Sequence, residues 1–309
     1  MLKLVLAKFF SFLITFFLLV SASFFLLRLL PGSPFDEGRF LSPEILANME
    51  AKYGLDQDLI TQYCRYISKL FLHADLGPSL KYPNRDVNDI LFNALPISLE
   101  LGLCAFLIAL IGGVVLGTLS ALYPHKAIGR LVSLISGVSM SVPSFIFAGI
   151  LIGIFGLWLN LLPVALWEGP EYMILPVLTL SIAPLAYITR ITRSTVIDTL
   201  NKEFVKTALA KGQREIKIII NHVLPNCLIP ILTVAGPLVA ILITGSFVVE
   251  YIFALPGMGK YFVTAFINRD YFLVSGTVVI FSIILLTVNT CVDLMILALS
   301  PKSRADCPP

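Results

Sequence analysis

Charge is what this 309-residue sequence has little of. Asp, Glu, Lys and Arg make up 13% of it, against 57% hydrophobic residues. A water-facing surface carries roughly a quarter to a third of such charges, so a soluble globular domain is excluded. Cysteine is sparse and scattered, at 64, 104, 227, 291 and 307, with no metal-ligand spacing and no close pair. Only Cys64 falls in a segment predicted to be external, so no disulfide framework is implied. The three histidines lie far apart, which excludes a zinc cluster. The net charge of +3 is small, and its basic residues gather near the ends of apolar runs. That suits topology and not nucleic-acid binding. A nucleotide loop is missing too. The string GMGK at 257–260 resembles one, but Ala254 and Tyr261 stand where a P-loop needs Gly and Ser or Thr.

What is present is a series of long apolar runs, the signature of membrane-spanning helices. Six are predicted: 9–27, 98–122, 130–157, 172–191, 228–249 and 275–299. The first follows Lys3 and Lys8. It passes through Ser21-Ala22-Ser23 without ending, so it reads as an uncleaved span and not a signal peptide. Arg28 ends it, placed to snorkel to the interface. Residues 31–97 form a long polar insert. Ser42-Pro43-Glu44 starts a helix there and Gly54 ends it. A second helix runs from about Asp58 to Leu72. The insert reads either as a contact for a binding protein or as a packed cap. Gly113 and Gly117 have the spacing of close helix contacts. Pro143 predicts a kink in the third span, and Gly236-Pro237 a break in the fifth; both are candidate hinges. Trp158 and Trp167 mark an interface.

Between the fourth and fifth runs lies the chain's distinctive stretch, Glu203 to Pro225, EFVKTALAKGQREIKIIINHVLP. It reads as two short amphipathic helices. Phe204, Val205, Ala208 and Leu209 form one stripe and Ile216, Ile219, Ile220 and Val223 the other. Gly212 separates the helices and Pro225 ends the second. One reading is a solvated basic loop that only fixes topology. The other is a docking element, favoured by the small Ala208, Ala210 and Gly212 and by its direct run into the next span.

Six spans put both termini on one side. Lys3, Lys8, Lys126, Arg130, seven basic residues from Arg190 to Lys217, Lys302 and Arg304 make that side cytoplasmic. The middles of all six spans lack Asp, Glu, Lys, Arg and His. An ion-coupled carrier keeps such residues there. With no ATP site either, energy is expected from a separate subunit.

Gly212 followed by Leu224-Pro225 resembles the EAA loop of ABC-transporter permeases. The fuller string EFVKTALAKG…HVLPNCLIPILTV is similar to the membrane subunits of bacterial dipeptide and oligopeptide importers. RLLPGSP, GLDQDL, HADLGPSL, SMSVPSF and EYIFALPGMGKYFVTAFINRDY resemble patterns of the same family. Lys206 and Thr207 stand where the loop's name-giving Glu and Ala would fall, and His73-Ala74 where a Gly is usual. The resemblance implies an all-α integral membrane protein of the type I importer permease fold. Its parts are an N-terminal span at 1–30, an external insert at 31–97, a five-helix core at 98–300 and a tail at 301–309. A cytoplasmic coupling loop spans 192–227. Glu203, Lys206, Thr207, Ala208, Ala210, Gly212, His222, Leu224 and Pro225 are its expected ATPase-docking residues. The implied protein is not itself an enzyme and holds no cofactor or metal. Its partners would be a sister permease, two cytoplasmic ATPases carrying ATP and Mg, an external solute-binding protein and the inner-membrane lipid. A nickel or other small-solute importer is the near alternative. A channel or carrier working alone, and a plain membrane anchor, are the rivals from other classes.

Overall fold

The computed structural model describes residues 2–29, 34–35 and 42–299. Most of RLLPGSP and the tail with Lys302 and Arg304 lie outside these residues, as does the side chain of Lys3. The described chain is helical: α1 (Leu2–Leu29), α2 (Pro43–Tyr53), α3 (Leu59–His73), α4 (Val87–Leu122), α5 (Ala127–Ser141), α6 (Ser144–Leu151), α7 (Ile174–Leu200), α8 (Glu203–Ala210), α9 (Glu215–Ile218), α10 (Leu224–Ile243), α11 (Phe247–Ile252), α12 (Met258–Ile267) and α13 (Tyr271–Leu299). Among the described residues, five helical stretches are long and apolar enough to cross a membrane. A sixth is possible only if α5 and the stretch from Ser144 to Trp158 count as one span.

Those two pieces meet at 110°. The predicted kink at Pro143 is therefore a full break. Val142, held extended by the proline after it, and Pro143 at ψ 145° separate the helices. The fifth run behaves in the opposite way. α10 passes through Gly236 and Pro237 unbroken, and the chain turns later, at Gly245 with φ +90°. Gly236 instead lets α13 approach, since a Cβ there would sit 2.9 Å from the Val292 side chain.

α4 is the central pillar. Its 36 residues span about 54 Å at 1.5 Å per residue. Its first turns pack with the insert, through Val87, Ile90 and Leu91, and its last with the polar stretch, through Ala121. The insert and the polar stretch therefore cap opposite ends of the bundle. α7 lies along α4 because Gly113 and Gly117 leave no Cβ between the two backbones. A methyl on Gly117 would meet the Thr189 carbonyl at 2.6 Å.

The insert is packed onto the spans. Phe24 of α1 contacts Tyr63 and Tyr66 of α3. Arg28 does not snorkel into water. Its guanidinium lies 3.6 Å over the Phe24 ring, and its Nε donates to Gln62 Oε1 at 2.8 Å. Asp270, fully buried, accepts from Ser79 Oγ, from the amides of Leu80 and Lys81, and from Leu273 at the start of α13. At the same end, Glu250 of α11 is 1% exposed. It accepts from Ser98 Oγ of α4 and from the Lys260 amide of α12, each at 2.9 Å. Ser98 in turn accepts from the Met258 amide at 2.9 Å. Gly245, Gly257 and Gly259 close round that carboxylate.

Candidate coupling site

α7 runs on to Leu200, so the polar stretch begins at Asn201. α8 follows after Lys202. Its first-turn Glu203 pairs with Lys206 at 2.8 Å, and Thr207 Oγ1 donates to the Glu203 carbonyl at 3.0 Å. Val205 and Ala208 are the buried face, 1% and 6% exposed. They meet Val196 of α7 and Cys227 and Ile231 of α10 in one apolar cluster. Ala208 is small because α8 lies close on the spans, whereas Ala210 faces out.

The turn after α8 closes as its sequence predicts. Gly212 adopts φ +72°, its amide donates to the Leu209 carbonyl, and the Gln213 amide donates to that of Ala208. A Cβ on Gly212 would touch nothing within 4 Å. The glycine is required by its backbone conformation and stands in open space.

The second helix departs from expectation. α9 is a single turn, and it passes through a π-helical turn, Ile219–Val223, straight into α10. Pro225 does not end the helix. It sits in the first turn of α10, where a missing amide costs little. The wider turn also shifts the phase of the apolar face. Ile218 and Val223 are buried, while Ile216 and Ile220 are 67% and 57% exposed. Phe204 and Leu209 are exposed as well.

Of the predicted docking residues, Glu203, Lys206, Thr207, Ala210 and Gly212 form one exposed surface on α8 and its turn, whereas Ala208 is turned inward against the spans and its small size serves that packing, not a partner. His222 joins that surface by a bond between Nε2 and Gln213 Oε1 at 3.1 Å, which ties the turn to the π-helical segment. Leu224 is half-buried and Pro225 exposed beyond it. Pro143, Gly236 and Pro237 belong to other parts of the bundle. Gln213 was not among the expected residues. Its only sequence signal is a lone amide just past a glycine. Among the described residues, no group of three or more His, Cys, Asp or Glu is placed to hold a metal. The surface thus places basic Lys211, Arg214 and Lys217 beside exposed apolar side chains.

Residues 113–305 match the family model described as binding-protein-dependent transport system inner membrane component, and residues 1–101 match its N-terminal companion. This chain belongs to that family of inner-membrane transport components. Among curated members, the dipeptide transport system permease protein DppB of Bacillus subtilis is 42% identical over 96% of both chains. The oligopeptide transport system permease protein OppB of Haemophilus influenzae is 42% identical, over 98% of this chain and all of that one. Its Escherichia coli K12 counterpart is 40% identical over the same shares. In structure, the chain resembles an inward-facing MetNI methionine ABC transporter, with a TM-score of 0.59 at 16% identity. The overlap covers 69% of this chain and 97% of that one. That likeness shows the fold alone: the helical core is arranged as in that transporter's chain. The chain is accordingly a multi-pass membrane component of a binding-protein-dependent importer.

Proposed function

We propose that this chain is the permease through which a bacterial ABC importer moves di- and oligopeptides across the inner membrane. One observation carries this reading: 40–42% identity, nearly end to end, to permeases named for dipeptide and oligopeptide transport. The chain would work beside a sister permease, receive peptide from an external binding protein and be driven by two ATPases that hold ATP and Mg. Both termini and the α8–α10 surface are cytoplasmic in this scheme, and α5 with the stretch after it counts as one crossing. Positive residues at the α8 end support that orientation. The exposed Phe204, Leu209, Ile216 and Ile220 beside Gly212 are the grip for an ATPase. ATP-driven closure pulls this surface, and α10, continuous with it, tilts to switch access from outside to inside.

Peptide uptake in cells tests the scheme. Deleting the chain should abolish uptake of labelled di- and tripeptides, and restoring it should recover them. Chain-dependent uptake of nickel, with peptide uptake untouched, would overturn the substrate. Gly212→Arg, whose Cβ would meet nothing within 4 Å although its φ of +72° strains the turn locally, should insert normally and transport little. Normal uptake by that variant would remove the docking role.

A further inference from the structure

A polar cavity of about 370 Å³ opens between α4, α5 and α7, near the end of the bundle that carries α8. Ser120, Ser133, Ser136, Thr189, Arg190 and Arg193 line it. No acidic side chain is among its described lining residues. Arg190 makes no ion pair or hydrogen bond within the described chain. Arg193 spends one nitrogen on Ser133 Oγ, at 2.8 Å, and its buried Nε has no acceptor. A buried guanidinium nitrogen without an acceptor is costly unless an anion completes it, and Arg190, exposed on the same cavity, adds a second positive charge there. The serine and threonine hydroxyls add little, since Ser136 and Thr189 already donate to carbonyls of their own helices.

The outer face of α5 supplies the second half of the argument. Leu131, Leu134, Ile135 and Val138 recur at helical spacing and are each more than half exposed. A greasy stripe therefore runs from the cavity along the bundle. An oxyanion attached to acyl chains fits both features, and basic pockets between helices at this depth are how membrane proteins hold anionic head groups. We propose that Arg190 and Arg193 bind the phosphate of an anionic phospholipid, whose chains lie along the exposed face of α5. Arg193 sits one turn before Val196, which is packed in the cluster that seats α8. The lipid would therefore brace the part of α7 on which the α8 surface rests. This site is independent of the transported solute.

Native mass spectrometry of the full transporter, purified from nanodiscs containing phosphatidylglycerol and phosphatidylcholine, tests it. The wild-type complex should retain phosphatidylglycerol over phosphatidylcholine. Retention should fall about fivefold for each arginine removed in R190Q and R193Q. A second variant keeps both charges. Gly137 also lines the cavity, and a Cβ there meets nothing within 4 Å, so Gly137→Leu should fill the space and displace the lipid. Equal retention in wild type and all three variants would overturn the site. Displacement of the lipid by millimolar inorganic phosphate, with phosphate then retained, would overturn the lipid in favour of a soluble oxyanion.

Discussion

Lys8 of α1 and Asp293 of α13 form an ion pair near the ends of two antiparallel helices, each side chain 44% exposed. At the other end of the same helices Arg28 lies 5.8 Å from the Tyr271 ring, so α1 and α13 run side by side for their whole length. A single helix pair thus ties the chain's first described turns to its last. A pair this exposed is worth about 0.2–1 kcal/mol in water. A double-mutant cycle with Lys8→Met and Asp293→Asn, read from melting in detergent, should give a coupling in that range. Zero coupling would mean that the helices are held by packing alone.

Glu250 should be far more sensitive. Its carboxylate gathers donors from α4 and α12 in a space walled by glycines. Glu250→Ala orphans the Ser98 hydroxyl and the Lys260 amide, at about 1–3 kcal/mol for each buried donor left unpaired. Gly257→Ala should also destabilise, because its Cβ would sit 2.6 Å from the Glu250 carboxyl carbon. Thermal melting of both variants, alongside an exposed control such as Glu203→Ala, checks this. Melting no lower than the control's would sink the account of the cage.

The break at Pro143 depends on one ring. Pro143→Ala restores an amide and frees Val142 to become helical. Spin labels at the exposed Leu134 and Ile150 should then move apart, toward the about 24 Å that 16 residues of straight helix span. An unchanged distance would assign the bend to tertiary packing.

Ala74 ends α3 with φ +52°, a left-handed conformation that costs a side-chain-bearing residue about 1–2 kcal/mol. Ala74→Gly should therefore raise the melting temperature, although it removes a methyl group. A loss of stability would show that the methyl's contacts outweigh the strain.

Much of this was legible beforehand. Long apolar runs announced the spans, since lipid tolerates little else. Gly212 announced its own turn, because a helix followed by an isolated glycine and polar residues closes in one common way. What misled was proline and phase. Pro225 is equally at home after a helix or in its first turn, and only the structure distinguishes the two. Ile216, Ile219, Ile220 and Val223 were read as one stripe because a period of 3.6 was carried through Ile219–Val223, where the turn is wider and only Val223 of the four is buried. The role of Glu250 had no local signal at all, for its partner Ser98 lies 152 positions away. Arg28 was misread for the same reason, its acceptor Gln62 being 34 positions on.

The turn at Ile219–Val223 carries one residue more than the ladder on either side needs. Were that surplus taken up by the α-ladder, everything beyond it would screw forward by about 1.5 Å and swivel by about 100°. The rotation would arrive at Leu242, whose carbonyl rests against Gly102 so closely that a methyl there would lie 2.3 Å away. The far end of this rod is therefore geared to the central pillar, and a small slip at one membrane face has no slack in which to vanish before it reaches the other.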